Sequence, residues 1–190
     1  MMEQHSQEVE HALHALRAGG TICYPTDTVW GIGCDATQAE AVVKVLKIKP
    51  TGTRVGLIVL LHDINQILDY VKEVPDIGWD LLEASGDPVT IIYPGGLKVA
   101  PGVLANDGSI AIRLVKDPFC VALLRKLRKP LVSTSANLPG AKPPSYAEQI
   151  SPEIAANVDY IVKIDSVSSF PKPSPIIKLL LNGEFRIIRK

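Results

Sequence analysis

Leu57, Ile58, Val59, Leu60 and Leu61 form a run that is apolar at every position and bounded by Gly56 on one side and His62-Asp63 on the other. A run this short fits a strand better than a helix, and a strand without polar alternation has both of its faces covered. The chain must therefore place this strand inside a sheet with layers on each side. Helix and strand signals interleave along the rest of the sequence in keeping with that demand.

Residues 6–17 set Val9, Ala12, Leu13 and Leu16 on one helical face, Gly19-Gly20 stops the helix, and 21–24 reads as a short buried strand. Thr37 and Glu40 have the spacing of a capping box, opening a helix to about Ile48 that Pro50 ends. Asp63 caps a small helix to about residue 71, and Pro75 opens another to 82. Residues 89–93 and 109–114 read as strands. Asp117-Pro118 opens a helix to 127, and 131–133 is the next strand. Ser151-Pro152-Glu153 is a further helix start, 159–164 reads as a strand, and 176–181 with 185–188 read as a hairpin about Asn182-Gly183. The predicted fold class is α/β, a twisted mixed sheet with helices on both faces, in one domain spanning 1–190. Helix and strand do not alternate regularly enough for a simple doubly wound sheet.

Length and composition narrow the function. At 190 residues one sizeable core is expected. A mean hydropathy of +0.18 argues against disorder, and the longest apolar stretches are too short to cross a bilayer, so no membrane association is expected. The first residues lack the basic-then-apolar layout of an export signal, and Cys23, Cys34 and Cys120 are odd in number and far apart. A reducing, cytoplasmic setting without disulfides is the expectation. The 20 basic and 20 acidic residues cancel, which argues against a broad nucleic-acid surface and leaves any anionic ligand to local cations such as Lys44, Lys47, Lys49 and Arg54.

Two polar islands stand at the ends of likely strands. The first runs Tyr24-Pro25-Thr26-Asp27-Thr28-Val29-Trp30-Gly31-Ile32-Gly33-Cys34-Asp35, and the second is Ser133-Thr134-Ser135-Ala136-Asn137. Hydroxyls, a carboxylate and glycines between apolar runs suit a ligand-lined turn rather than a core. Ser133, Ser135 and Asn137 alternate, so an extended chain points all three to one side, and Thr26 and Thr28 do the same. Arg113 ends an apolar strand, where a guanidinium is suited to bidentate capture of a carboxylate. Together with Lys49, these groups describe one concave site for a polar, phosphate-bearing ligand. Other chemistries fit less well. There is no Walker-type loop, and Gly31-Ile32-Gly33 lacks the third glycine of a dinucleotide fingerprint. His5, His11 and His14 read as exposed helix histidines rather than metal ligands, so no protein-held metal is expected. His62 has no carboxylate nearby except Asp63 for a hydrolytic triad.

The first island, the string Pro130 to Gly140, the run ending at Arg113 and Pro173-Ser174 together resemble the YrdC/Sua5 family, the threonylcarbamoyl-AMP synthases, over nearly the whole chain. The resemblance is to the short, single-domain branch, and it implies a twisted α/β sandwich with a large central cavity. It implies an enzyme that condenses L-threonine, bicarbonate and ATP into threonylcarbamoyl-adenylate and pyrophosphate, for the threonylcarbamoyl modification of adenosine in tRNA. Carried across by position, Thr26, Thr28 and Arg113 would hold threonine, and Lys49, Thr90, Ser133, Ser135, Asn137 and Ser174 would line the ATP side. Lys49 and Arg113 would carry the catalysis, and Mg²⁺ is expected on the ATP phosphates. Implied partners are tRNA or tRNA-modification proteins.

The sequence departs from the family pattern at three places, one of them Ser85-Gly86-Asp87-Pro88 before Val89-Thr90, where many members have Trp-Pro-Gly-Pro. Thr51 stands where the family's Lys-x-Arg has arginine, with Arg54 expected to supply the charge on the ATP side, and Pro175 follows Ser174 where a threonine is usual. These departures motivate a second reading, a nucleotide-binding paralogue without turnover. A third is an RNA-binding or ribosome-associated module.

Overall fold

The computed structural model describes residues 2–49, 57–164 and 172–190. Helix α1 (Met2–Arg17) buries Val9, Ala12, Leu13 and Leu16 as its spacing predicts. The amides of Gly19 and Gly20 close it on the carbonyls of Leu16 and Ala15. Strand β1 (Ile22–Tyr24) and strand β2 (Gly31–Gly33) follow, then α2 (Ala39–Ile48), β3 (Ile58–Leu61), α3 (Ile67–Tyr70) and α4 (Asp76–Ala84). Strands β4 (Thr90–Tyr93) and β5 (Ile110–Leu114) precede α5 (Pro118–Leu127), β6 (Leu131–Ser135), α6 (Pro152–Asn157), β7 (Tyr160–Ile161), β8 (Ile176–Leu179) and β9 (Phe185–Arg189).

The nine strands among the described residues form one sheet in the order β7-β1-β2-β6-β3-β5-β4-β8-β9. It is mixed: β1 with β7, β3 with β5 and β4 with β8 run parallel, and the other neighbours are antiparallel. The apolar run over 57–61 sits near the centre, in and just before β3. Its odd-numbered residues Val59 and Leu61 face a core built with α2, α3, α4 and α6, whereas Leu60 faces a core built with α1 and α5. Both faces of the sheet thus carry helices, as predicted. No helix among the described residues is long and apolar enough to cross a membrane.

Several local expectations are corrected. Thr37 does not cap α2. The N-cap residue is Gln38, without a side-chain bond, and the Asp35 carboxylate instead accepts from the Thr37 amide at 2.8 Å and hydroxyl at 2.7 Å. Asp35 thereby ties the Thr37 amide and hydroxyl back to the residues before the helix, and the helix begins one residue later. The strand expected over 159–164 is only Tyr160–Ile161, and β6 runs two residues beyond its predicted end. By contrast Asp63, Asp117 and Ser151 each accept from a backbone amide at the start of their helical segments, as read from sequence.

Strand β2 lies inside what the sequence presents as a turn. Gly33 explains how it fits, since a Cβ there would collide with the Val132 carbonyl oxygen of β6 and come within 2.8 Å of the Tyr24 ring. Gly33→Ala is therefore expected to push β2 from β6 and destabilise the protein by about 3 kcal/mol. A urea unfolding midpoint equal to that of the wild type would contradict this close approach.

Candidate functional site

Strand register decides which side chains share a side, because directly paired residues, and residues two apart, point the same way. Gly31 pairs with Ser135, Ser133 with Ile58, Ile58 with Ala111, and Ala111 with Ile92. Arg113 lies between Leu60 and Thr90, and Thr90 pairs with Ile176. All of these occupy the side of the sheet on which α1 and α5 pack. Those helices cover the half that bears Ile22, Tyr24, Leu60 and Leu131. On the other half, Ile58, Ile92, Ala111 and Ile176 form a small apolar patch to which no described helix contributes. Arg113, Thr90, Ser133 and Ser174 stand around that patch and are themselves buried.

Lys49 reaches this region from the end of α2, where its amide closes the helix on Val45. Its ammonium donates to the Ser135 carbonyl at 2.9 Å, the Ser135 hydroxyl at 2.9 Å and Asn137 Oδ1 at 2.7 Å. The amide group of Asn137 is turned by bonds to the carbonyls of Leu138 and Ala141. Half-burial pulls the Lys49 ammonium down to about 8. Lys49, Ser135 and Asn137 thus form one cluster, as their types suggested.

The first island approaches from the β1–β2 loop. Arg113 Nη1 donates to Thr28 Oγ1 at 2.9 Å, and Arg113 Nη2 lies 3.4 Å from Asp27 Oδ1. Thr26 Oγ1 lies 3.0 Å from Thr28 Oγ1 and donates to the Val29 carbonyl at 2.7 Å. Since the single Thr26 proton is used on a carbonyl, Thr28 must be the donor to Thr26. The Thr28 hydroxyl therefore offers a ligand only a lone pair. Thr26 acts through this relay and also accepts from the Thr28 amide at 3.1 Å.

Thr90 and Ser174 share a hydrogen bond of 2.7 Å across β4 and the segment before β8. The Ser174 carbonyl accepts from Arg189 Nε at 3.0 Å and Nη2 at 2.7 Å. Sequence reasoning missed Arg189. Burial lowers its pKa first, and the charge of Arg113 lowers it further, so both guanidiniums belong to one electrostatic neighbourhood. The signal lay in an arginine that follows the apolar pair Ile187-Ile188 at the end of the hairpin strand. Its position opposite Ile176 depends on a register shift that no local pattern announces. Arg54 and Thr51 lie outside the described residues.

Cysteine chemistry does not compete with this site. Burial pushes Cys23 and Cys34 up to about 12, and Cys120 well above its ordinary value, so none offers a thiolate near neutral pH. His62 is also held below its ordinary value, chiefly by burial.

The fold and this half-face describe an α/β protein that gathers cations and hydroxyls from remote segments onto one side of a mixed sheet. A family model described as "Telomere recombination", joining the Sua5, YciO and YrdC proteins, matches residues 14–190, and the chain belongs to this family. A curated relative from Stenotrophomonas maltophilia (strain K279a), named threonylcarbamoyl-AMP synthase, is 35% identical over 181 residues, covering 94% of this chain and 97% of the relative. Among solved structures, E. coli YciO superposes with a TM-score of 0.84 at 26% identity over 96% of this chain and 88% of that one. P. abyssi Sua5, solved in complex with L-threonine, shares the fold with a TM-score of 0.80 at 24% identity. The match spans 90% of this chain but only 50% of that longer protein.

Proposed function

We propose that this chain is a threonylcarbamoyl-AMP synthase, which joins L-threonine, bicarbonate and ATP and releases pyrophosphate and water. The observation that carries the reading is the placement of Arg113 with Thr28, and of Lys49 with Ser135 and Asn137, around the half of the sheet to which no described helix contributes. Full-length relatedness to enzymes of that name supports it. A hollow over this half-face is part of the proposal, as is a reading of residues 1–190 as one domain.

In this reaction the threonine amine and bicarbonate give a carbamate, and a carbamate oxygen attacks the α-phosphorus of ATP. The leaving group is pyrophosphate, so no covalent enzyme intermediate is required. The protein's task is to hold the reactants in line and to offset phosphate charge. Arg113 pairs with the threonine carboxylate, and the Thr28 hydroxyl accepts from a substrate N–H or O–H. Lys49, with Arg189 from the far edge, faces the phosphates, while Ser133, Ser135, Asn137, Thr90 and Ser174 supply short polar contacts.

A protein-held Mg²⁺ does not fit this donor set. Among the described residues there is no group of three metal-ligating side chains, and the nearby carboxylate of Asp27 is turned to Arg113. Mg²⁺ belongs with ATP as part of the substrate, and tRNA or a modification partner would receive the product.

Pyrophosphate release from purified protein tests the proposal. Release that needs ATP, threonine and bicarbonate together is expected, whereas release independent of threonine would overturn it. Tight RNA retention without release would instead favour an RNA-binding module, and ATP binding without release a paralogue that has lost turnover.

The protonation of Lys49 gives this reading a pH signature. Below pH 8 the ammonium is charged and attracts phosphate, and as pH rises through 8 the free protein loses that charge. A bound phosphate raises the pKa, so ATP affinity is expected to fall by about tenfold per pH unit above that value. Calorimetric titrations on both sides of it check this, with Lys49→Met flattening the profile. A wild-type profile as flat as the variant's would contradict the role.

A further inference from the structure

Asp27 has no role in the reaction described above, yet it is among the most buried charged residues of the chain, at 6% exposed, beside an arginine that is 4% exposed. Its Oδ1 lies 3.4 Å from Arg113 Nη2, and its Oδ2 accepts from the Lys116 amide at 3.3 Å. Lys116 follows Arg113 by three residues, so the carboxylate bridges the guanidinium and the main chain just beyond it. The next residue, Thr28, takes Nη1 at 2.9 Å. Two consecutive loop residues therefore face the two terminal nitrogens of one guanidinium, Thr28 through a hydrogen bond and Asp27 through the ion pair. Arg113 Nε, also buried, has no hydrogen-bond partner among the described residues.

A guanidinium is planar, and fixing both terminal nitrogens fixes the direction of the Nε–H. Leaving that N–H buried without an acceptor is unfavourable, and a ligand oxygen arriving at the Nε edge removes the penalty. A carboxylate matches this edge because it pairs with two parallel N–H groups. Arg189 adds a second positive charge to the same neighbourhood.

We infer that Asp27 is a positioning residue for the amino-acid substrate, its carboxylate locking the Arg113 guanidinium so that the Nε edge meets the threonine carboxylate while Asp27 itself touches no substrate. This rests on the proposed synthase reading, in which Arg113 takes threonine. Asp27 acts only through Arg113, so its effect should vanish when the guanidinium is absent.

Asp27→Asn tests the inference, since it keeps shape and an acceptor for Lys116 but removes the charge. Threonine binding, by calorimetry and by the threonine KM, is expected to weaken about tenfold with the ATP KM little changed, on protein shown by circular dichroism to be folded, because breaking the buried pair also lowers the thermal midpoint. Asp27→Glu, which keeps the charge one methylene further out, is expected to recover part of the loss and serves if Asp27→Asn does not fold. In an Arg113→Ala background, Asp27→Asn is expected to leave threonine affinity unchanged. Unchanged threonine affinity in Asp27→Asn, equal losses for threonine and ATP, or additive losses in the double variant would each overturn the positioning role. If the wild type binds ATP but neither binds threonine nor releases pyrophosphate, the synthase reading itself fails and the inference with it. An active wild type with a silent Asp27→Asn overturns the inference alone.

Discussion

Arg113→Ala is expected to raise the threonine concentration needed for half-maximal rate about a hundredfold, while changing the requirement for ATP by less than about threefold. The size follows from removing a buried, charge-assisted partner of a carboxylate, which costs about 3 kcal/mol when the ligand charge has no replacement. The asymmetry follows from geometry. Arg113 is tied to Thr28 and Asp27 of the first island, whereas Lys49 is tied to Ser135 and Asn137 of the second. Truncation also breaks the buried ion pair with Asp27, so the variant should unfold more readily, by about 3 kcal/mol. The ratio of the two KM values, measured on protein shown by circular dichroism to be folded, separates the site effect from that loss. Arg113→Lys keeps the charge but not the planar fork, and should fall between wild type and alanine. Equal losses for both substrates would remove Arg113 from the threonine side.

Lys49→Met is expected to lower kcat by about a hundredfold to a thousandfold, the range seen when a preorganised charged donor facing a developing anion is lost. Methionine fills similar space without the ammonium, so the effect is on the chemistry more than on packing. The three acceptors that hold Lys49 fix its ammonium before ATP arrives, which limits the reorganisation left for the transition state. Stability should change little, because the lysine is only half-buried and its burial already disfavours the charged form. Single-turnover rates with saturating substrates check the prediction. A variant that lost ATP affinity but kept kcat would mean that Lys49 binds ground state and transition state equally well.

Much of the fold was legible because its signals are local. The apolar run in β3 demanded cover on both faces and has it. Asp117 before Pro118 and Ser151 before Pro152 opened their helices because a short acceptor and a fixed φ act within one turn. Strand β2 was not legible. Gly31-Ile32-Gly33 carries one apolar side chain, and its strand exists because glycine lets β6 come close, a fact about a neighbour distant in sequence. The capping box at Thr37 did not form because the Thr37 amide and hydroxyl donate back to the Asp35 carboxylate two residues before it.

The site divides along the same line. Thr28, Lys49, Arg113, Ser133, Ser135 and Asn137 were recognisable by residue type, by alternation and by the family strings they stand in. Their convergence was not readable from periodicity, since Arg113 meets Thr28 across 85 residues and Lys49 meets Asn137 across 88. Only the strand order brings them together. Arg189 and Asp27 were passed over for the same reason: one depends on an irregular register between β8 and β9, the other on what the β1–β2 loop touches.

The central claim, that one half-face of the sheet holds amino acid and nucleotide side by side, is tested most directly by a crystal structure of the protein soaked with threonine and a non-hydrolysable ATP analogue. The account predicts the threonine carboxylate within hydrogen-bond distance of Arg113 and the phosphates beside Lys49, over the patch of Ile58, Ile92 and Ala111. Ligand density instead in the roughly 500 Å³ hollow between α1 and β7, lined by His11, Lys44 and Tyr160, with Arg113 and Lys49 untouched, would contradict it.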